Sequence, residues 1–476
     1  MISTVFVSCN TELDINEDPD LLDPNNAPLS AQLPAGISGL AGSEGAGMAI
    51  FGGFWSQYWT QSNAANQFKD IDNYSAGTAD YNFIWDGMYD ALGDIRNVKR
   101  RALAEENWKY YLIATTLEVQ ASQILTDMYG DIPYEEASNS AIIAPRFNTG
   151  EEVYDLMIQD LDDALSKDLS TSVGPIPAND DLVFRGDMDA WTKFANTLKL
   201  KIFMRQTYSS RAAVATAGIT ALMSSGVDFL DQDAGMIEDS AGNPIFTDAI
   251  NQSNPLYEYI IRRLNVATNL RMSRTLSSYL IDNVDPRRGA YYGTGNALNQ
   301  GDFLNTVGAG TIALVKLNAT TPVLFMSLEE SLLLQAEALE RVSGGAGAKA
   351  LYDAAVTANF TRNSVTGASG FLAGAYAYPV SGTLEQKVEA IITQKWIALF
   401  PGNGFEAFFE KNRTDYPRTS AVPQSNGAYV SGQITLSVEA TTGSLFPKRI
   451  QYPLSERNAN PNAPALVPIT TPVWWD

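Results

Sequence analysis

Residues 125–137 read LTDMYGDIPYEEA. The stretch packs two aspartates, two tyrosines, a glycine and a proline into one helix exit. Pro133 forbids continuation, because it lacks the N–H an interior helical residue donates, and Asp131 has a short carboxylate that bonds nearby backbone amides. The helix it closes runs back to Trp108. Trp108, Leu112, Ile113, Leu117, Val119 and Leu125 lie on all sides of that helix. A helix with no polar face predicts burial among other helices.

Outward from this point the same pattern recurs. Thr149-Gly150-Glu151-Glu152 has the form of a capping box, and Val153, Leu156, Met157, Leu161 and Leu165 follow along one stripe. Asp187 precedes a helix carrying Trp191, Phe194, Ala195, Leu198 and Ile202. Boxes at Ser327–Glu330 and Thr383–Gln386 predict helices bearing Leu332, Leu333, Ala336 and Leu339, and Val388, Ile391, Ile392 and Leu399. A helix over 350–360 follows the Gly344-Gly345 turn. Upstream, Phe51, Phe54, Trp55, Tyr58, Trp59 and Ser62 predict a helix over 48–68, with Trp55, Tyr58 and Trp59 in the core. Another starts near residue 80 with Trp85, Met88, Tyr89, Leu92 and Ile95. The segment ending at Gly47, rich in Pro, Asn, Ala and Gly, reads as a lead-in loop.

These elements predict a mainly α fold of stacked helix pairs, each resembling a degenerate tetratricopeptide repeat, because paired helices bury their faces only by stacking. Long irregular loops intervene over 226–270, 285–325, 362–382 and 412–476. Loops of such length in a compact protein carry function or bind something. Short strands are expected at 313–317 and 434–438.

Composition narrows the chemistry. The chain has 476 residues, 45% hydrophobic and 18% charged, which is globular and not disordered. A net charge of −22, with no basic run longer than Lys99-Arg100-Arg101, argues against a nucleic-acid partner. There is no histidine, which removes the commonest general base, the commonest zinc ligand and every Ser-His-Asp or Cys-His arrangement. Carboxylate-pair glycosidases survive this absence, although no Asp or Glu pair stands out as acid and base. One cysteine, Cys9, rules out an intrachain disulfide. No cofactor is implied. Calcium is possible through the many carboxylates, but the D-x-N-x-D spacing from Asp14 lacks the glycine and distal glutamate of a calcium loop and reads as an acidic Asx-turn linker.

Several segments, in order, carry a resemblance to a known family. They are Cys9 with Leu13-Asp14-Ile15-Asn16 and Asp18-Pro19; Asp127-Met128-Tyr129-Gly130-Asp131-Ile132-Pro133-Tyr134 with Glu136-Ala137; Asp285-Pro286-Arg287-Arg288 with Tyr291-Tyr292; Gln394 to Phe400, then Gly404-Phe405-Glu406 and Arg413-Thr414; and Pro447 to Pro453 with Glu456 and Val473-Trp474-Trp475. Together they resemble the SusD/RagB group of outer-membrane nutrient-binding lipoproteins, in the branch of starch-binding associating proteins. Most of these residues read as fold markers: helix terminator, core, and a tether for the C-terminal tail through Arg449, Tyr452 and Glu456.

The resemblance implies a SusD-like α-α superhelix, no enzymatic activity, and capture of oligosaccharides for a TonB-dependent outer-membrane channel. It also implies a protein lipid-anchored to the outer membrane and facing the exterior. Residues 2–8 are apolar or small and resemble the tail of a lipoprotein signal, so residues 1–9 are expected to be its remnant with Cys9 lipidated, and 10–476 a single SusD-like domain. An ordinary disordered N-terminus is the alternative. In this family the ligand meets the loop beyond the first helix and later aromatic loops. That points to Asn63, Gln67, Phe68, Tyr74 and Tyr81, with Tyr292 from a second loop, as the glycan-binding residues. Their aromatic rings would stack on pyranose faces and their amides bond hydroxyls. Other readings remain open at this level: the same fold and partner binding peptides, a carboxylate-pair glycoside hydrolase, or a repeat scaffold for protein partners.

Overall fold

The computed structural model of the protein describes residues 27–306 and 311–476. Cys9, the expected signal remnant and the acidic segment from Asp14 lie outside the described residues. The Trp108–Tyr129 helix is the axis of the fold. Asn107 caps it, its Oδ1 accepting the Tyr110 amide at 3.3 Å, and every residue from Tyr110 to Tyr129 is buried. The helices Asn82–Ala104, Gly150–Ser166 and Met188–Arg205 pack against it. It ends where the sequence says it must. Gly130 takes a φ of 93°, and Asp131 Oδ1 accepts the Gly150 amide at 2.9 Å, so the stop of one helix is tied to the start of the next.

The capping boxes at Thr149 and Thr383 are complete. At Ser327 only half forms: the hydroxyl accepts the Glu330 amide at 3.1 Å, while the Glu330 carboxylate turns inward to Lys201 Nζ at 3.0 Å. Further helix pairs follow in Met188–Arg205 with Ala212–Ser224, Leu328–Val342 with Ala348–Arg362, and Leu384–Ala398 with Gly404–Thr414.

Two upstream expectations are corrected. The supposed lead-in loop holds the Leu29–Ser43 helix, which continues through a π-helical turn, Glu44–Met48, into Ala49–Trp55. Its glycines and Pro34 mask an apolar stripe of Leu29, Leu33, Ile37 and Leu40, all buried. Gly36 is needed there, since a Cβ would stand 2.7 Å from Ile95 Cγ1 on the Asn82–Ala104 helix. The helix expected over 48–68 stops at Trp55, because Gln57 turns away with a φ of 58° and places its side chain between Thr275 and Thr435. Trp55, Tyr58 and Trp59 are nonetheless core.

Strands are few and short. Trp59–Thr60 pairs antiparallel with Arg271–Met272, and Ala234–Met236 with Val323–Met326. The strands expected over 313–317 and 434–438 reduce to isolated bridges, such as Arg271 with Leu314 and Thr419 with Ile434.

Where the helices converge, four cations (Lys201, Arg205, Lys395, Arg413) face five carboxylates (Asp127, Glu330, Glu337, Glu406, Glu410), all buried. Arg205 alone bridges Asp127 at 3.0 Å, Glu406 at 2.7 Å and Glu410 at 2.5 Å. Charges this deep persist only when each has partners. No helix among the described residues is long and apolar enough to cross a membrane.

Candidate functional site

The Trp59–Thr60 strand fixes where the next segment, 61–81, emerges. Asp72 pins its base. Asp72 Oδ2 accepts Thr60 Oγ1 at 2.7 Å and the Gln61 amide at 2.8 Å, and Oδ1 accepts Gln300 Nε2 at 2.6 Å. Burial pushes this carboxyl up to about 7, against three donors that pull it down. Being fully enclosed, Asp72 holds the loop and does not meet solvent.

Tyr81 closes the segment. It precedes the Asn82–Ala104 helix with a φ of 57°, and its hydroxyl donates to Asp70 Oδ1 at 2.7 Å, with the Gln67 carbonyl oxygen 3.2 Å away. Burial, then the bond to Asp70, raises the Tyr81 phenol above its ordinary value. Its half-buried ring lies edge-on to Phe51 at 5.0 Å and to Phe83 at 6.2 Å. Phe83 stacks on Tyr259 at 6.0 Å, and Phe68 lies 6.5 Å from Tyr259 on the core side. Phe83 is 44% exposed. The result is a strip, Tyr81–Phe83–Tyr259, with an outer edge open to water. The same loop exposes Asn63, Asn66 and Gln67. Lys69 Nζ donates to Asn66 Oδ1 at 2.8 Å and sits 5.3 Å over the Phe303 ring, joining this loop to the one at 301–305.

Tyr259 belongs to the π-helical turn Glu258–Arg263. Neighbouring Tyr257 and Ile261 line a cavity of about 1050 Å³, whose walls are mostly apolar and include Leu314, Pro322 and Phe400. One short helical segment therefore presents Tyr259 to the aromatic strip and Tyr257 to the cavity. Glu44 forms a buried wall of the cavity, and its carboxyl is raised well above the ordinary range by burial. Among the described residues, no group of three His, Cys, Asp or Glu side chains is placed to hold a metal ion.

The sequence profile described as "starch-binding associating with outer membrane" matches residues 40–439. The chain belongs to the SusD-like family. Solved structures agree on the fold. A SusD homologue from Bacteroides uniformis ATCC 8492 is 24% identical with a TM-score of 0.73, covering 93% of this chain and 99% of that one. A chitin-binding SusD homologue from Flavobacterium johnsoniae is 21% identical with a TM-score of 0.75, covering 93% and 98%. No curated protein sequence matches at a significant level.

Within this SusD-like fold the marker residues take structural positions. Asp127 and Asp131 join helices, and Arg449 Nη2 donates to the Tyr452 hydroxyl at 3.2 Å, which in turn donates to the Asp131 carbonyl at 2.8 Å. Of the six expected ligand residues, Asn63 and Gln67 are exposed and Tyr81 is half-buried, with its hydroxyl 3.2 Å from the Gln67 carbonyl oxygen. Phe68, Tyr74 and Tyr292 are corrected: all three are core. Phe68 packs on Phe54, the Tyr74 hydroxyl accepts the Ser437 amide at 3.2 Å, and the Tyr292 hydroxyl donates to the Tyr58 carbonyl at 2.7 Å. Tyr291, Phe303, Tyr376 and Tyr378 are buried likewise. The long loops lie over the helices, so their aromatics fill space that the helices leave open. Phe83 and Tyr259 were missed. The signal for Phe83 was available, since it falls off the Trp85, Met88, Leu92, Ile95 stripe. Tyr259 sits in a segment whose sequence reads as loop.

Proposed function

We propose that this SusD-like protein captures oligosaccharides on the Tyr81–Phe83–Tyr259 strip, with Asn63 and Gln67 bonding sugar hydroxyls. It then delivers them to a TonB-dependent outer-membrane channel, from a position anchored at the outer membrane by a lipid on Cys9 and facing the exterior. The observation that carries this reading is the stacked Phe83–Tyr259 pair with Phe83 open to water. An exposed ring beside amide side chains is what pyranose recognition needs. A chitin-binding structural neighbour is consistent with a pyranose polymer as ligand. We read the role as binding: Asp72 and Asp127, whose carboxyls burial pushes up to about 7 and about 6, are enclosed and serve the fold.

The test is a binding screen of the protein lacking residues 1–9 on glycan arrays and affinity gels, with Phe83→Ala and Asn63→Ala alongside. Binding to one polysaccharide class, weakened in both variants, is the expected result. Retention of peptides with no glycan bound overturns the reading. Acyl labelling in a Gram-negative host, lost in Cys9→Ser, tests the anchor separately.

A further inference from the structure

The sequence contains two Asn-Gly pairs, Asn403-Gly404 and Asn426-Gly427. The fold treats them oppositely. Asn403 Nδ2 donates to the Leu324 carbonyl at 2.9 Å, which ties its carboxamide down. Gly404 is buried and opens the Gly404–Thr414 helix, where a Cβ would stand 2.7 Å from the Gly52 carbonyl carbon. Neither residue can rearrange without disturbing that packing.

Asn426 and Gly427 lie at the tip of a turn, with every residue from 425 to 428 exposed. The ends of the turn are anchored. Buried Gln424 accepts the Gln300 amide at 2.7 Å and donates to Thr275 Oγ1 at 2.6 Å, and the Tyr429 hydroxyl donates to the Gln433 carbonyl at 2.8 Å. Asn426 Oδ1 accepts the Ala428 amide at 2.9 Å, an Asx turn that lays the carboxamide along the Gly427 peptide. Among the described residues the Gly427 N–H has no acceptor, and a Cβ on Gly427 would meet nothing within 4 Å.

The turn alone is not distinctive. Asn139 and Asn318 make it too, their Oδ1 atoms accepting the amides two residues on at 3.1 Å and 3.2 Å. They precede Ser140 and Ala319, whose Cβ atoms crowd any ring that closes on the backbone nitrogen. Gly427 has no Cβ and reaches the backbone conformations that such a closure needs.

We propose that Asn426 converts itself to an acid by attack of the Gly427 backbone nitrogen on its side chain. Solvent hydroxide removes the Gly427 amide proton. A bond forms from that nitrogen to Asn426 Cγ, and the negative charge collects on Oδ1, where the Ala428 N–H already donates. The Cγ–Nδ2 bond then breaks, and ammonia leaves with a proton from water, which restores the hydroxide. The five-membered imide that remains takes up one water at either carbonyl. Opening at one gives aspartate. Opening at the other gives isoaspartate, whose main chain runs through the former side-chain carbon. Nothing is oxidised or reduced, and each event adds one negative charge to a chain at −22.

The experiment holds the full chain in mildly alkaline buffer at physiological temperature, in water enriched in heavy oxygen, and maps its peptides by mass spectrometry. Heavy oxygen should enter residue 426, as both aspartate and isoaspartate, at a rate that rises with pH. Asn403, Asn139 and Asn318 should remain amides over the same time. Gly427→Ala, which the fold accommodates, should slow the conversion about tenfold, equivalent to about 1.4 kcal/mol of barrier. In urea Asn403 should react as fast as Asn426, since only the fold restrains it. The inference is overturned if native Asn426 converts no faster than Asn139 and Asn318, or if Gly427→Ala leaves its rate unchanged. It is also overturned if Asn403 matches Asn426 in the folded chain, or lags behind it equally in urea.

Discussion

Asp127 Oδ1 accepts the indole N–H of Trp475 at 2.7 Å, which ties the tail of the chain to the end of its central helix. The same carboxylate accepts the Tyr154 hydroxyl and, through Oδ2, Arg205 Nε at 3.0 Å. Trp475 is fully enclosed and its ring lies 5.4 Å from the Arg205 guanidinium. Trp475→Ala should therefore cost about 3–5 kcal/mol, as for other large aromatic truncations, and Trp475→Phe about 1–2 kcal/mol through the lost bond. Urea unfolding followed by far-UV circular dichroism measures both, and equal effects would show that the lost bond dominates and ring volume does not.

Arg205 is the hub of the buried charges. Arg205→Met leaves Asp127, Glu406 and Glu410 without their shared cation, so it should destabilise by about 3–5 kcal/mol. Exposed Arg418, paired with Glu389 at 2.8 Å, supplies the contrast: Arg418→Met should change stability by less than about 1 kcal/mol. Denaturant midpoints that rank the two variants the other way contradict this account.

The pH dependence has two opposed parts. Burial pushes Asp72 up to about 7 from its ordinary 3.8, so between those values the folded state keeps a proton that the unfolded chain releases. Stability falls as pH rises through that window. Glu337 behaves oppositely. Burial pushes it up, but Arg413 and Arg341 overcome that and hold it at about 2, against an ordinary 4.5. Its contribution is present above pH 4.5 and is lost as pH falls toward 2. Asp72→Asn should flatten the decline toward neutral pH, and Glu337→Gln should flatten the loss in acid. Urea midpoints across pH decide it, and a profile of Asp72→Asn parallel to the parent would refute the first part.

Gly52 and Gly404 let two helices touch backbone to backbone. A Cβ on Gly52 would stand 1.9 Å from the Phe405 nitrogen, a group that cannot swing aside. Gly52→Ala should thus destabilise by about 3 kcal/mol or more, at the upper end for overpacking. Gly402→Ala, where a Cβ meets nothing within 4 Å, is the control and should be near neutral. Thermal unfolding of the pair reads the difference.

Phe83→Ala should reduce glycan affinity about 3–10-fold, the range of a lost aromatic contact, with little change in stability because the ring is already half in water. Tyr292→Ala should do the reverse, lowering stability by about 3–5 kcal/mol, since its ring is enclosed. Parallel binding and unfolding measurements separate the two.

The helical scaffold was legible because its signals are local. Thr149 and Thr383 cap, Pro133 stops, and apolar residues repeat at helical spacing between them. Leu29–Ser43 was not legible as a helix because glycines and Pro34 look like loop composition, and their use, close approach to Asn82–Ala104, depends on a partner distant in sequence. The site was half legible. Asn63, Gln67 and Tyr81 lie in a loop that the Thr60–Arg271 pairing and the Tyr81–Asp70 bond present to solvent. Tyr74 and Tyr292 have the same composition, yet whether a loop aromatic turns in or out is set by the surface beneath it. For Tyr74 that surface is the segment around Ser437, a contact 363 residues away.

The segment from Pro255 to Arg263 carries Tyr257 on the cavity and Tyr259 on the aromatic strip. A helix with its side chains is about 10–12 Å thick, so the two contact points are separated by that order of distance. A monosaccharide can occupy only one of them. A longer chain draped over the turn engages both, and its second contact forms at the high effective concentration that the first contact provides. Affinity at such a surface rises with chain length faster than either contact alone allows, and short fragments leave freely. On the glycan reading proposed above, the turn would act as a ruler, holding a longer chain at two points where a short fragment meets one.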